Sequence, residues 1–323
     1  MINTKNKILL VFFLASFALI SCSTQNTLAP TQAEPQITLT STQEQLPTAE
    51  PTVAVPTIVP SSTSTPLPLA TATVVGTPTP DLRLTPKYWR EWPVAPALSF
   101  RAISVLEQGL LMGNNPRMFS RVGDCQSEPD VFLGIYSTDR WALPAEYASA
   151  SASADYFYDA FSLTNVTAKK GFGVSSVLSP IYSNTEVCQP AETPIDCELR
   201  LRKPIVVFVA MGTNWQAGSS ASFEQYLRQV VDILIEQGSL PILVNKPDNI
   251  EGDGMLNFAI AQVAYDYDLP MVNVWKALDY LPGHGLQEDG IYMVPEAWDN
   301  RNLYSFVVLD EVRQAILSIE ANK

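Results

Sequence analysis

The side chains able to do chemistry in this 323-residue chain include four cysteines and a single histidine. Cys125 closes the stretch Met118-Phe119-Ser120-Arg121-Val122-Gly123-Asp124-Cys125, which reads as a short buried strand stopped by a glycine. A strand that fixes the backbone, followed by a turn that exposes the next side chain, is a common mount for a nucleophile. A thiol needs less help than a hydroxyl, because a few per cent is already thiolate at neutral pH. It works best beside a cation or a helix N-terminus. Cys188 and Cys197 flank a segment holding Pro190 and Pro194. That spacing suits a small disulfide-closed loop in an oxidising compartment. Cys125 is then the odd thiol: a nucleophile, a redox-responsive group, or a buried small hydrophobe. His284, in Leu281-Pro282-Gly283-His284-Gly285, is either a base or a structural loop residue. Asp248, Glu251 and Asp253 lack the regular spacing of a calcium loop and read as a solvated turn. Trp141, Trp215 and Trp298 either line a carbohydrate groove or pack at the core and its rim.

The surrounding pattern supplies elements to position these groups. Phe100 to Leu111 carries Ile103, Leu106 and Leu110 at helical spacing and stops before Gly113-Asn114. Phe119 to Val122 is the first strand. Ala145 to Phe161 reads as helical, and Leu163 to Thr167 as extended. Pro204 to Met211 is a continuous apolar run of the kind found in a central parallel strand. Ser222 with Gln225 reads as a capping box. It opens a helix with the face Phe223, Leu227, Val230, Val231 and Leu234, closed by Gly238. A strand over Leu240 to Val244, a helix over Met255 to Tyr267, a strand within Pro270 to Trp275 and a helix over Asn302 to Ile319 complete the series. Strands alternating with helices predict a three-layer α/β/α domain: a central parallel sheet with right-handed crossovers and helices on both faces. In such sheets ligands bind beyond the C-terminal ends of the strands. Cys125, Gly212 and the loop after Trp275 all fall there.

Four short blocks in order resemble those of the SGNH (GDSL-type) hydrolases, over roughly Met118 to the C-terminus. Gly123-Asp124-Cys125 is similar to the family's Gly-Asp-Ser, with Cys in place of the nucleophilic Ser. Gly171, or else Gly173, stands for the glycine whose N–H helps form the oxyanion hole. Gly212-Thr213-Asn214 resembles Gly-x-Asn-Asp, with Trp215 in place of the last Asp. Asp289-Gly290-Ile291-Tyr292 resembles Asp-x-x-His, with Tyr in place of His. The resemblance implies a flavodoxin-like α/β/α fold and an ester hydrolase acting on acyl or acetyl esters of lipids or surface glycans. Cys125 would be the nucleophile. The Gly171 and Cys125 N–H groups and the Asn214 amide would hold the oxyanion, and Asp289 would orient the base. Tyr292 weakens that expectation: with a reference pKa of about 10, only about one phenol in a thousand is ionised at pH 7. A pseudoenzyme that keeps the cleft to bind a glycan or peptide is the alternative.

The rest of the chain sets the compartment. Lys5, Lys7 and the apolar run Ile8 to Ile20 form an export leader too short to span a bilayer comfortably. Leu19-Ile20-Ser21-Cys22 resembles the bacterial lipobox, which implies cleavage before Cys22, lipidation of that cysteine and anchoring of an extracytoplasmic domain to a membrane. Residues 23–85 read as a disordered linker. Eleven of the 25 prolines lie between Pro30 and Pro86, among Thr and Ser, so there is too little apolar surface to offset the entropy of ordering. The folded domain is expected over residues 86–323. A formal net charge of -13 argues against nucleic acid, which needs a basic face. No zinc pattern or phosphate-cradling loop is present in the sequence, and no cofactor is expected.

Overall fold

The computed structural model describes residues 84–215 and 218–322. The leader, Cys22 and all but the last two residues of the expected linker lie outside them. Four strands form one all-parallel sheet in the order β1-β2-β3-β4: Asn115–Gly123, Pro204–Ala210, Leu240–Val244 and Met271–Val272. Phe119 pairs with Val206 and Gly123 with Ala210, so the two motif-bearing strands end level with each other. Beyond β1, Ala168 forms a parallel bridge to Gly123, and the Lys169 N–H donates to the Gly123 carbonyl at 3.2 Å. The extended stretch after Leu163 thus reaches the sheet only at its end.

The helices are α1 Phe100–Met112, α2 Ala152–Tyr156, α3 Tyr158–Phe161, α4 Pro194–Arg202, α5 Ser220–Glu236, α6 Met255–Asp266, α7 Val274–Ala277 and α8 Pro295–Ala321. α5 and α6 pack together against the sheet, as do α1 and α8, which gives the three-layer α/β/α fold. The Ser99 hydroxyl caps α1 by accepting from Ala102 N–H, and Gly113 ends it in the left-handed region. α5 buries the expected face of Phe223, Leu227, Val230, Val231 and Leu234. It starts earlier than the capping box predicts: Ser222 lies inside it and donates its hydroxyl to the Ser219 carbonyl at 3.0 Å. The helix expected over Ala145 to Phe161 is broken instead. A 3₁₀ segment Ala145–Ser151 leads into α2, and Phe157, with non-helical backbone, separates α2 from α3. Its ring is fully buried against Phe119, so packing overrides local periodicity. α8 begins seven residues before its predicted start, with Pro295 in its first turn, where a missing N–H costs nothing.

Aromatic rings join the layers around β1. Phe119 on β1 meets Phe161 and Phe208 edge-on at 5.2 and 5.8 Å. Tyr136 stacks on Phe306 of α8 at 4.0 Å. Pairs of this kind add about 0.5–1.5 kcal/mol beyond the area they bury. Trp141 joins this group against Tyr136, and Trp215 packs on Phe223 and Tyr226. Trp298 is partly buried against the core. The three tryptophans are packing residues.

Candidate functional site

β1 ends at Gly123, where a Cβ would lie 1.9 Å from Ser127 Oγ and 2.9 Å from the Ala210 carbonyl. No side chain fits, and the chain turns at once into a 3₁₀ segment, Cys125–Ser127, capped by Asp124. Gly212 has φ 136°, and a Cβ there would meet Lys246 Cδ at 2.7 Å. Both motif glycines are therefore required by close approach. They let the turn after β1 close against the end of β2, and the turn after β2 close against Lys246.

Cys125 is half-buried, and its Sγ lies 3.8 Å from Tyr292 Oη, within hydrogen-bond reach for sulfur. Two of the four blocks, 167 residues apart, thus place their central side chains in contact. The exposed Asp289 accepts the Ile291 and Tyr292 N–H groups through Oδ1, at 2.9 and 3.1 Å. It shapes the turn that carries Tyr292 through the backbone. Asn214 is exposed, and its amide donates to the Phe172 carbonyl at 3.0 Å. Gly173 gives its N–H to Ser176 Oγ, which leaves Gly171, exposed and three residues past the Ala168 bridge, as the better oxyanion candidate.

Residues not singled out from the sequence hold these loops together. Gln126 donates from Nε2 to the Ile291 carbonyl at 3.3 Å and to Thr213 Oγ1 at 3.4 Å, so it touches the third and fourth blocks from the first. Asp124 is fully enclosed. Burial pushes its carboxyl up to about 6, against the Gln126 N–H and the Thr213 hydroxyl, which hold it down. Arg301 of α8, lowered to about 10 by burial, faces it. A crevice of about 20 Å³ between Asp124, Gln126, Thr213, Lys246 and Arg301 has room for one water. Gln126 Oε1 and Arg301 Nε border it, buried and without a hydrogen-bond partner among the described residues. Nothing in the sequence marks Gln126 or Arg301, since their roles depend on which loops the fold brings alongside.

The acidic turn is not solvated as expected. Lys246 Nζ contacts Asp248 Oδ1 at 2.9 Å and Glu251 Oε2 at 2.5 Å, with all three side chains buried. An ammonium occupies the place a metal ion would need, and only Asp253 is exposed. His284 packs on Trp275 with ring centroids 4.2 Å apart and lies 3.7 Å from Asp279. Burial lowers its pKa, with Asp279 opposing. These contacts give it a structural place in its loop. Cys188 and Cys197 form the expected disulfide. Cys197 sits in α4, so the segment expected to be a loop ends inside a helix.

No family model matches the chain, and a search of the curated proteins finds no match. The α/β/α fold and the strand-end site are the grounds for a functional reading.

Proposed function

We propose that this chain is an exported, lipid-anchored ester hydrolase of SGNH type, with Cys125 as nucleophile and slow turnover. The observation that carries the reading is the 3.8 Å contact between Cys125 Sγ and Tyr292 Oη at the C-terminal edge of the sheet. These are the positions of the family's nucleophile and base. The thiolate fraction of Cys125 would attack the acyl carbon, while Gly171 N–H, Cys125 N–H and the Asn214 amide stabilise the oxyanion. At pH 7 the phenol is protonated, so Tyr292 is better suited to give a proton to the departing alkoxide than to take one from the thiol. Water then cleaves the thioester, returning a proton to Tyr292 and the thiolate to Cys125.

A short-chain chromogenic ester tests this on the full chain. Turnover should be slow and abolished in Cys125→Ala. Tyr292→Phe should lower it about 10²-fold, the lower end of acid–base contributions. A paired Cys125→Ser, Tyr292→His variant should restore faster hydrolysis. Silence in the native chain and in the paired variant, both folded, would end the hydrolase reading. A second reading is favoured by one observation, the commitment of Asp289 Oδ1 to backbone N–H groups. In it the cleft binds an ester-bearing glycan or peptide without turning it over, and only the paired variant is active.

A further inference from the structure

Beside the nucleophile turn lies a groove of about 630 Å³, within the size range of small-molecule sites. Its floor is Thr164 to Val166, Ala168 and Lys169, one wall is Glu128 to Asp130, and the other is Tyr182 to Glu186. The floor is tied to the nucleophile strand by the Ala168–Gly123 bridge. Glu128, three residues after Cys125, accepts the Lys170 N–H at 3.0 Å. The far wall is braced: the Ser183 hydroxyl donates to the Glu192 carbonyl, Glu192 pairs with Arg200, and the Cys188–Cys197 disulfide ties the segment to α4.

Three features define what this groove would hold. Its side chains are mostly amides, hydroxyls and carboxylates. One aromatic ring, Tyr182, is about half exposed and is backed edge-on by Phe172 at 5.9 Å. An amphipathic ring on a fixed mount offers a flat apolar face, with hydrogen-bonding groups around it. Its charges are Glu128, Asp130 and Glu186 against Lys169, a net of -2 within a chain of net charge -13, which repels anions. The apolar cavity, about 330 Å³ between Trp92, Pro96, Leu269 and Met271, lies at the opposite edge, where β4 begins. A long acyl chain would find its room there, away from Cys125.

We propose that the groove is a binding site for an oligosaccharide without anionic groups. Its role as the seat of the alcohol half of an ester rests on the hydrolase reading above; its binding of sugar does not. The test is saturation-transfer NMR and calorimetry on the full chain. The probes are N-acetylchitotetraose, its deacetylated tetramer, mannotetraose and tetragalacturonate. Binding of one or more of the first three, without tetragalacturonate, is expected. Tyr182→Ala should weaken it at least tenfold with the circular dichroism spectrum unchanged. Asp130→Lys with Glu186→Lys should bring in tetragalacturonate. The proposal falls if no uncharged or amino tetrasaccharide binds, if tetragalacturonate binds as well as they do, or if Tyr182→Ala leaves their affinity intact. Sugar binding without ester turnover in either the native chain or the paired variant would keep the groove and sink the hydrolase reading. Turnover without sugar binding would do the reverse.

Discussion

Two buried polar clusters flank the Cys125 turn, and they are composed differently. On the β1 side, Glu198 of α4 accepts from Ser120 Oγ, Asn165 Nδ2 and Val166 N–H at 2.7–2.8 Å. Arg121 donates to Asn165 Oδ1 and to the carbonyls of Phe132, Phe161 and Leu163. The cluster has one charge of each sign, and none of its side-chain polar atoms is buried without a partner among the described residues. Under the Gly212 turn, Lys246 faces two carboxylates. Asp248 Oδ2 and Glu251 Oε1 are buried with no hydrogen-bond partner among the described residues. Burial raises the Asp248 carboxyl, with Lys246 opposing, and Asp124 is raised partly by Asp248. The balanced cluster is a brace that fixes the floor of the groove and the end of β1. The unbalanced one has an excess of negative charge out of water, so its stability contribution depends on pH.

Removing the centre of the brace should have the largest effect. Glu198→Ala leaves the Ser120, Asn165 and Val166 donors unmet and removes the opposite charge that favours the Arg121 guanidinium across Asn165; at about 1–3 kcal/mol for each buried polar group left unpaired, the loss should be about 3 kcal/mol or more. Urea unfolding at pH 7 measures it, and a loss below about 1 kcal/mol would remove the distinction between the clusters.

Asp124→Asn should act in the opposite direction. The carboxyl's folded pKa, about 6, lies above its ordinary 3.8, so the folded chain holds that proton more tightly than the unfolded one. The stability this gives is complete below pH 3.8 and is lost as pH rises through about 6. Two pKa units correspond to about 3 kcal/mol. The variant should therefore be more stable than the native chain by up to that amount at pH 7–8, with the gain vanishing near pH 4. A constant difference across the range would refute the charge argument.

The smallest effect is expected from Asp248→Asn, which leaves Lys246 paired one-to-one with Glu251. Relief of one buried excess charge should raise the urea midpoint at pH 7 by less than Asp124→Asn does, and the gain should shrink as pH falls and the native carboxyl takes up its proton. Destabilisation at pH 7 would mean that Asp248 is a required partner of Lys246.

Much of the fold is written locally. The run Ile205-Val206-Val207-Phe208-Val209 is a buried strand because it is apolar at every position, which suits a strand covered on both faces. The apolar face of α5 recurs at helical spacing, so it is legible without any partner. Cys188 and Cys197, nine residues apart around two prolines, could find each other within one segment. Tertiary structure alone decided the rest. Phe157 breaks the helix expected around it because a pocket beside Phe119 takes its ring. Asp248 and Glu251 look like a wet acidic turn until Lys246 is buried between them. The reach of Gln126 from one loop to two others has no sequence signal, and the meeting of Cys125 with Tyr292 is legible only through the resemblance of their two blocks. Periodicity records which face a segment buries. It carries no record of which distant side chain will lie opposite, because sheet register and crossover geometry set that distance.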